Sequence, residues 1–205
     1  MFYYLLMQLG EKNMKKPNYD TYCGLYCGAC DMLESYENDR ESKFAYLWTK
    51  PTLKAFLKLQ GAEYDGDDDL ELKCQGCKSD EIFIVCRICK IRECAINKNV
   101  EHCSDCGEYP CKIYSEWNKN QVFMPHIKDV RDNLENIKKL GTNQWLLDQE
   151  KQWKCQKCDK SFSWYSTSCD SCGADLREYV FKFSKLKLLV MRTAIRLSSF
   201  KNNKQ

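Results

Sequence analysis

Apolar residues recur with a helical period in the second half of the chain. Ile127, Val130, Leu134, Ile137 and Leu140 follow one another at gaps of three or four, and Gly141 supplies a stop. Thr142 can cap a following helix that carries Trp145, Leu146 and Leu147. Ile113 to Asn120 reads as a helix, and Pro125 interrupts the run before the next one. Near the start, Asp31 can cap a helix reaching about Lys50. Its apolar positions are Met32, Leu33, Tyr36, Phe44, Leu47 and Trp48, with a polar gap at 37–43. Pro51 restarts a helix whose apolar side is Leu53, Phe56, Leu57 and Leu59, ending at Gly61. Ile82 to Val85 is short enough for a strand or a buried turn, and Ile91 to Val100 for one helix entered from Cys89. From Leu176 to about Ser198 an amphipathic helix is expected. Leu176, Val180, Phe183, Leu186, Val190, Ala194 and Leu197 share one face of it, with Arg177, Lys182, Lys185, Arg192 and Arg196 mostly off that face.

Composition changes this picture through cysteine. The 205 residues contain 15 cysteines, and eight of them fall between Cys74 and Cys111. A modest core stapled by metal accounts for them better than one large aliphatic core. The count is odd. The opening Phe2–Met7 run is too short for a signal-peptide core or a membrane span, so a reducing cytoplasm is expected rather than a secreted disulfide scaffold. The formal charge of +3 counts every thiol as neutral. With all cysteines ligated as thiolates to four Zn²⁺ it would fall to −4. Residues 176–205 hold eight Lys/Arg and one acid, giving an acidic body with a basic tail.

The most specific chemical signal is Cys155-x2-Cys158-x10-Cys169-x2-Cys172. Two C-x-x-C turns brought back on each other satisfy tetrahedral Zn²⁺ and leave no open position, as in a zinc ribbon. Such a site is structural and contributes on the order of 10 kcal/mol or more to folding. Phe162, Trp164 and Tyr165 either cover this site as core or form a base-stacking platform; core is the favoured reading.

The other candidate ligands are Cys23, Cys27, Cys30, Cys74, Cys77, Cys86, Cys89, Cys94, Cys103, Cys106 and Cys111, with His102 the least specific. Eleven thiols do not divide into fours; His102 would make twelve, but a surface histidine is the favoured reading, and eight cysteines in two sites with three unligated is the main rival. A ribbon-like grouping puts Cys74, Cys77, Cys86 and Cys89 together and Cys94, Cys103, Cys106 and Cys111 together. It leaves Cys23, Cys27 and Cys30 one ligand short. Their C-x3-C-x2-C spacing is also that of radical S-adenosylmethionine enzymes, but Ala29 replaces the usual aromatic and no strand–helix series follows. An iron–sulfur cluster on this trio stays open as the alternative to zinc. Lys73, Lys78, Arg87, Lys90, Arg92 and Lys112 are read as offsets to thiolate charge rather than a phosphate-reading patch. The acidic run at 63–71 does not match a calcium loop and reads as solvated. No Walker A, G-x-S-x-G or H-E-x-x-H motif occurs, and no catalytic residue is assigned.

YCGLYCGAC, CQGC, CRICKIRECA and CSDCGEYPC, taken together, resemble the bacterial and archaeal cysteine-rich family known as domain of unknown function 3795. The resemblance covers about Tyr22 to Lys112. The Leu140–Leu146 stretch and the following ribbon are similar to an extension that many members carry. It implies zinc binding through Cys23, Cys27, Cys30, Cys74, Cys77, Cys89, Cys94, Cys103, Cys106 and Cys111, and no established activity. Cys86 and His102 fit the family positions less closely.

The expected fold is mainly α with small metal-stapled irregular or β elements. Residues 1–13 form a non-native or disordered extension, 14–112 a cysteine-rich metal-binding domain and 113–152 a helical connector. Residues 153–175 form a zinc ribbon, and 176–205 a basic helix and tail. The expected function is a structural-zinc interaction or adaptor module holding three to four ions. A protein partner comes first and nucleic acid second; a membrane is not expected and no small-molecule substrate is indicated. The alternatives are an iron–sulfur redox protein or enzyme using Cys23, Cys27 and Cys30, and a metal store or thiol sensor.

Overall fold

The computed structural model describes residues 17–42, 53–54, 57–58, 73–122, 124–182 and 193, and among these six α-helices have both ends described, with several 3₁₀ turns between them. The helices are α1 (Asp31–Glu37), α2 (Ile84–Arg87), α3 (Lys90–Asn97), α4 (Lys112–Asn118), α5 (Val130–Leu140) and α6 (Thr142–Gln152). The two longest follow the apolar spacing closely. Val130, Leu134 and Ile137 of α5 are buried, and Trp145 of α6 packs into the same core. Leu140, the last member of the apolar series, faces solvent at 53% exposure. Gly141, at φ 82°, ends α5 by donating its N–H to the Ile137 carbonyl at 2.9 Å. The same glycine is the N-cap of α6, so Thr142 is its first helical residue and makes no side-chain cap, contrary to expectation. Pro125 opens a 3₁₀ turn, Pro125–Asp129, so α5 starts three residues later than the periodicity suggested.

The helix expected from Asp31 to Lys50 stops at Glu37. Asn38 takes the C-cap position and its side chain donates to the Glu34 carbonyl at 2.7 Å. Asp39 then adopts φ 48°, which breaks the helical path. Arg40 folds back to Asp31 and Glu34, at 3.1 and 2.7 Å. The N-cap is Cys30 rather than Asp31. Phe44, Leu47 and Trp48, the acidic run at 63–71 and residues 1–13 lie outside the described residues. Of the next expected helix, residues 53, 54, 57 and 58 are helical, with Leu53 and Leu57 buried. Ile82–Val85 is not a strand: Ile82 and Phe83 are buried and the chain turns into α2. Among the described residues the β structure is two isolated bridges, so the mainly α, cysteine-rich fold class holds.

Both bridges belong to the ribbon, and they reveal a short internal repeat. Lys154 pairs with Ser161, and Ser168 with Asp175. Cys155 N–H donates to the Lys160 carbonyl at 2.9 Å, and Cys169 N–H to the Ala174 carbonyl at 2.8 Å. Phe162 N–H reaches the Trp153 carbonyl, and Leu176 N–H the Thr167 carbonyl, both at 3.0 Å. Each turn needs a left-handed residue after its second cysteine, and Asp159 (φ 57°) and Gly173 (φ 70°) provide it. Residues 176–182 are turns rather than the start of a helix, because Leu176 and Val180 are buried against the ribbon and Phe181 packs near Trp153 and Tyr165. The rest of the expected basic helix lies outside the described residues, except Thr193, which is helical.

One apolar core runs through these parts. It joins Cys23, Tyr26 and Ala29 to Tyr114, to the inner side chains of α5, to Trp145 and Trp153, and to Phe162, Trp164 and Leu176 of the ribbon. The ribbon is also tied by backbone to the first cysteine turn: Trp164 N–H donates to the Ala29 carbonyl at 3.0 Å.

Candidate metal centre

The ribbon turns place four sulfurs face to face. The ligand atoms of Cys155, Cys158, Cys169 and Cys172 all lie within 4.8 Å of one another. Cys155 and Cys172 are 3.7 Å apart, and Cys158 and Cys169 are 3.6 Å apart. A tetrahedron of sulfurs about 2.3 Å from a central Zn²⁺ has edges of about 3.8 Å, whereas disulfide sulfurs lie about 2.05 Å apart. The spacing therefore fits a metal cage, and all fifteen cysteines are free thiols. Cys155 and Cys169 are 1% and 3% exposed, and Cys158 faces solvent. The Lys160 amide facing Cys158 draws that thiol down to about 7. The Ala174 amide does the same for Cys172, but desolvation and its thiol neighbours outweigh it and set Cys172 at about 12. A divalent ion would stabilise all four thiolates and release their protons.

Of the other eleven cysteines, Cys23 and Cys74 are buried and the rest half-buried. Three of their turns repeat the ribbon's backbone geometry. Cys30 N–H bonds to the Cys27 carbonyl at 2.9 Å, Cys89 N–H to Cys86 at 3.3 Å and Cys106 N–H to Cys103 at 3.2 Å; in the ribbon, Cys158 N–H bonds to Cys155 at 3.3 Å. Amides two residues ahead favour the thiolates of Cys23 (Leu25) and Cys30 (Met32, after Leu33), as Lys160 does for Cys158. Burial dominates here and pushes the Cys23, Cys27, Cys30, Cys86 and Cys103 thiols up, Cys30 and Cys103 to about 12. Mutual repulsion adds to it and reports who neighbours whom. Cys77 and Cys89 act on Cys23. Cys77, Cys30 and Cys74 act on Cys27. Cys30, Cys74, Cys77 and Cys89 act on Cys86. Cys111, Cys94, Cys89 and Cys106 act on Cys103.

Cys86 feels Cys74, Cys77 and Cys89, its partners in the ribbon-like grouping, together with Cys30, and Cys27 feels Cys30 of its own trio together with Cys77 and Cys74. Among the described residues the ribbon set is the one whose ligand atoms all approach within 4.8 Å.

His102 does not stand with the thiols. It is buried rather than at the surface as expected, because its Nε2 lies 2.9 and 3.1 Å from the two carboxylate oxygens of Asp20. Its Nδ1 is 3.4 Å from Asp105. With both ring nitrogens facing carboxylates, the imidazole has no lone pair directed at a metal. Lys78 donates to Asp20 at 2.7 Å and to Glu101 at 3.0 Å, and its ammonium lies 4.9 Å from the centre of the Tyr22 ring. Burial would raise the Asp20 carboxyl, but hydrogen bonds from His102 and Lys78 hold it below its ordinary value. This network ties the N-terminal strip, the Cys74–Cys77 turn and the approach to Cys103 together. The sequence offered no signal for it, because its members are single residues tens of positions apart. Arg92 grips the Cys77 carbonyl at 3.0 Å; burial pushes the Cys77 thiol up to about 11, against the opposing charges of Arg92 and Lys78. Two of the six cations among the cysteines thus offset thiolate charge as expected.

The ribbon aromatics are core. Phe162 and Trp164 are buried, and Trp164 stacks on His126 with ring centres 4.2 Å apart and planes 9° from parallel. His126 Nδ1 meets the Tyr165 hydroxyl, and burial pushes the imidazole down to about 3. A shallow cleft beside this stack is lined by Tyr26, Asn133, Gln149, Gln152, Trp153 and Phe181. No helix among the described residues is long and apolar enough to cross a membrane.

Fold and site together define a mainly helical, cysteine-rich protein whose clustered thiols could hold metal ions. More particularly, residues 19–116, a little under half of the chain, match the family described as protein of unknown function (DUF3795), which bears out the resemblance carried by the cysteine motifs. No curated protein and no solved structure matches the chain.

Proposed function

We propose that the chain is a structural-zinc protein in which three to four ions hold a frame for binding a protein partner. The four-sulfur cage at Cys155, Cys158, Cys169 and Cys172 carries this reading. A four-thiolate cage offers a bound zinc no open position for substrate, so its role is architectural. Anaerobic purification followed by metal analysis and a visible spectrum tests the reading. A colourless protein with three to four zinc equivalents is expected; a brown one containing iron and sulfide would overturn zinc in favour of an iron–sulfur protein.

Nucleic acid is the second reading, resting on the eight Lys/Arg and single acid of residues 176–205. Removing that segment should then abolish oligonucleotide binding that weakens steeply with salt. Binding unchanged by the deletion, or insensitive to salt, counts against it.

A further inference from the structure

We propose that the ribbon is a peroxide-sensitive staple: hydrogen peroxide oxidises Cys158, the oxidised sulfur pairs with Cys169, and the cage gives up its zinc. The inference rests on the structural-zinc reading above and adds a chemical role to one ligand of that site.

Exposure selects Cys158. It is the one exposed thiol among the fifteen cysteines; Cys155 and Cys169 of the same cage are buried and Cys172 is half-buried. Its neighbours from Gln156 to Lys160 are exposed as well, so the whole turn stands at the surface. The eleven cysteines between Cys23 and Cys111 are all buried or half-buried. Oxidation of a thiolate follows its access to solvent, so a small oxidant meets Cys158 before any other sulfur.

Distance selects Cys169. Its Sγ lies 3.6 Å from that of Cys158. Disulfide sulfurs are about 2.05 Å apart, so an approach of about 1.5 Å closes the bond. Cys155 and Cys172 are nearly as close, at 3.7 Å, but Cys155 is only 1% exposed, and the reaction starts at the pair that holds the exposed sulfur.

Hydrogen peroxide is the only reactant the chemistry adds. The Cys158 thiolate attacks the O–O bond; an S–O bond forms, the O–O bond breaks, and hydroxide leaves. The Cys169 thiolate then attacks the resulting sulfenic acid; the S–S bond forms, the S–O bond breaks, and a second hydroxide leaves. The two sulfurs have lost two electrons and the peroxide has gained them, with two solvent protons turning both hydroxides into water. Cys155 and Cys172 are left as half of a tetrahedral set and release the ion. The change passes inward through Cys155 and Cys169, which line the common core.

The test treats the full chain, purified anaerobically with its metal, with a small excess of hydrogen peroxide. A chromogenic chelator follows released zinc, and mass spectrometry of alkylated, unreduced peptides maps the disulfides. About one zinc equivalent should be lost, in step with a peptide linking Cys158 to Cys169. Dithiothreitol with added zinc should restore it. C158H replaces the exposed sulfur with a zinc-binding imidazole and should keep that equivalent under the same treatment. First oxidation at any cysteine from Cys23 to Cys111, a Cys155–Cys172 link, Cys158 oxidised further with no link, or a ribbon that retains its zinc each overturns the inference and leaves the structural-zinc reading standing. A chain that carries no zinc before peroxide is added defeats both. Should C158H not take up metal, the wild-type peptide map and zinc release decide the question alone.

Discussion

Asp159 and Gly173 occupy equivalent places in the two ribbon turns, both left-handed, at φ 57° and 70°. Only glycine takes that conformation without steric cost, which for other residues is about 1–2 kcal/mol. D159G should therefore leave the metal-loaded protein as stable or raise its stability by about 0.5–1 kcal/mol. G173A should lower it by about 1 kcal/mol through backbone strain alone, because a Cβ there meets nothing within 4 Å. Paired denaturant midpoints check this, and equal effects of like sign would refute it. His126 gives a second test. Its folded pKa of about 3 lies below the ordinary 6.5, so the unfolded chain binds the extra proton between those values. Its contribution is complete above about pH 6.5 and shrinks as pH falls towards 3, by at most about 1.4 kcal/mol per unit. H126F keeps an aromatic ring against Trp164 and removes the titration. The wild-type-minus-variant stability should thus rise with pH from 4 to 6.5 and flatten above it; subtracting the curves cancels the thiol protonation common to both. Both residues show the limits of sequence at this scale. The ribbon cysteines were legible because all four lie within one short stretch. The environment of His126 was not, since Tyr165 and Trp164 reach it from across the fold.

The cysteine turns and the helices differ in how local their causes are. The α5 helix was readable from its apolar spacing and from Gly141, both of which act within a few residues. The end of α1 was less so: Met32 and Leu33 belong to a helix, but the later apolar residues invited an extension that Asn38, Asp39 and the fold-back of Arg40 refuse. The Cys74–Cys77 turn shows a third case, an element fixed by another element. Asn18 N–H donates to the Gln75 carbonyl at 2.8 Å, which brings the N-terminal strip over Gly76. A Cβ on Gly76, at φ 106°, would stand 1.8 Å from the Asn18 carbonyl oxygen. G76A must therefore push the strip away and disturb the neighbouring bonds of Asp20 to Lys78 and His102. A loss of about 2 kcal/mol or more is expected, from strain and from leaving charged partners poorly paired. Hydrogen exchange should locate it, with faster exchange at Asn18 and Thr21 and little change at the ribbon amides of Cys155 and Cys169. Equal acceleration at both places would show that Gly76 acts on the whole fold and not on this junction.

At the scale of the molecule, the expected division into a cysteine-rich domain, a connector and a ribbon describes the order of motifs along the chain, while packing crosses those boundaries. Sequence could not show this, because Tyr26, Ile127, Trp145, Trp153 and Phe162 look like ordinary apolar residues of separate segments until folding brings them into one core. The consequence is that the ribbon metal should support more than the ribbon. Cys155 and Cys169 line the common core, and the Trp164 amide is bonded to Ala29 of the first cysteine turn. C158S isolates the effect, since Cys158 is the exposed member of the cage and its loss removes a ligand while leaving the packing in place. Metal content should fall by about one equivalent. The thermal midpoint should drop by about 10 °C or more, because several kcal/mol of a metal contribution on the order of 10 kcal/mol are lost and each kcal/mol moves the midpoint by about 2–4 °C at this length. Exchange should quicken at Trp164 and along α6, not only between Lys154 and Asp175. If the ribbon instead loosens alone, with α6 and the first cysteine turn as protected as in the wild type, the shared core does not couple the ribbon to the first cysteine turn and the ribbon is an independent staple.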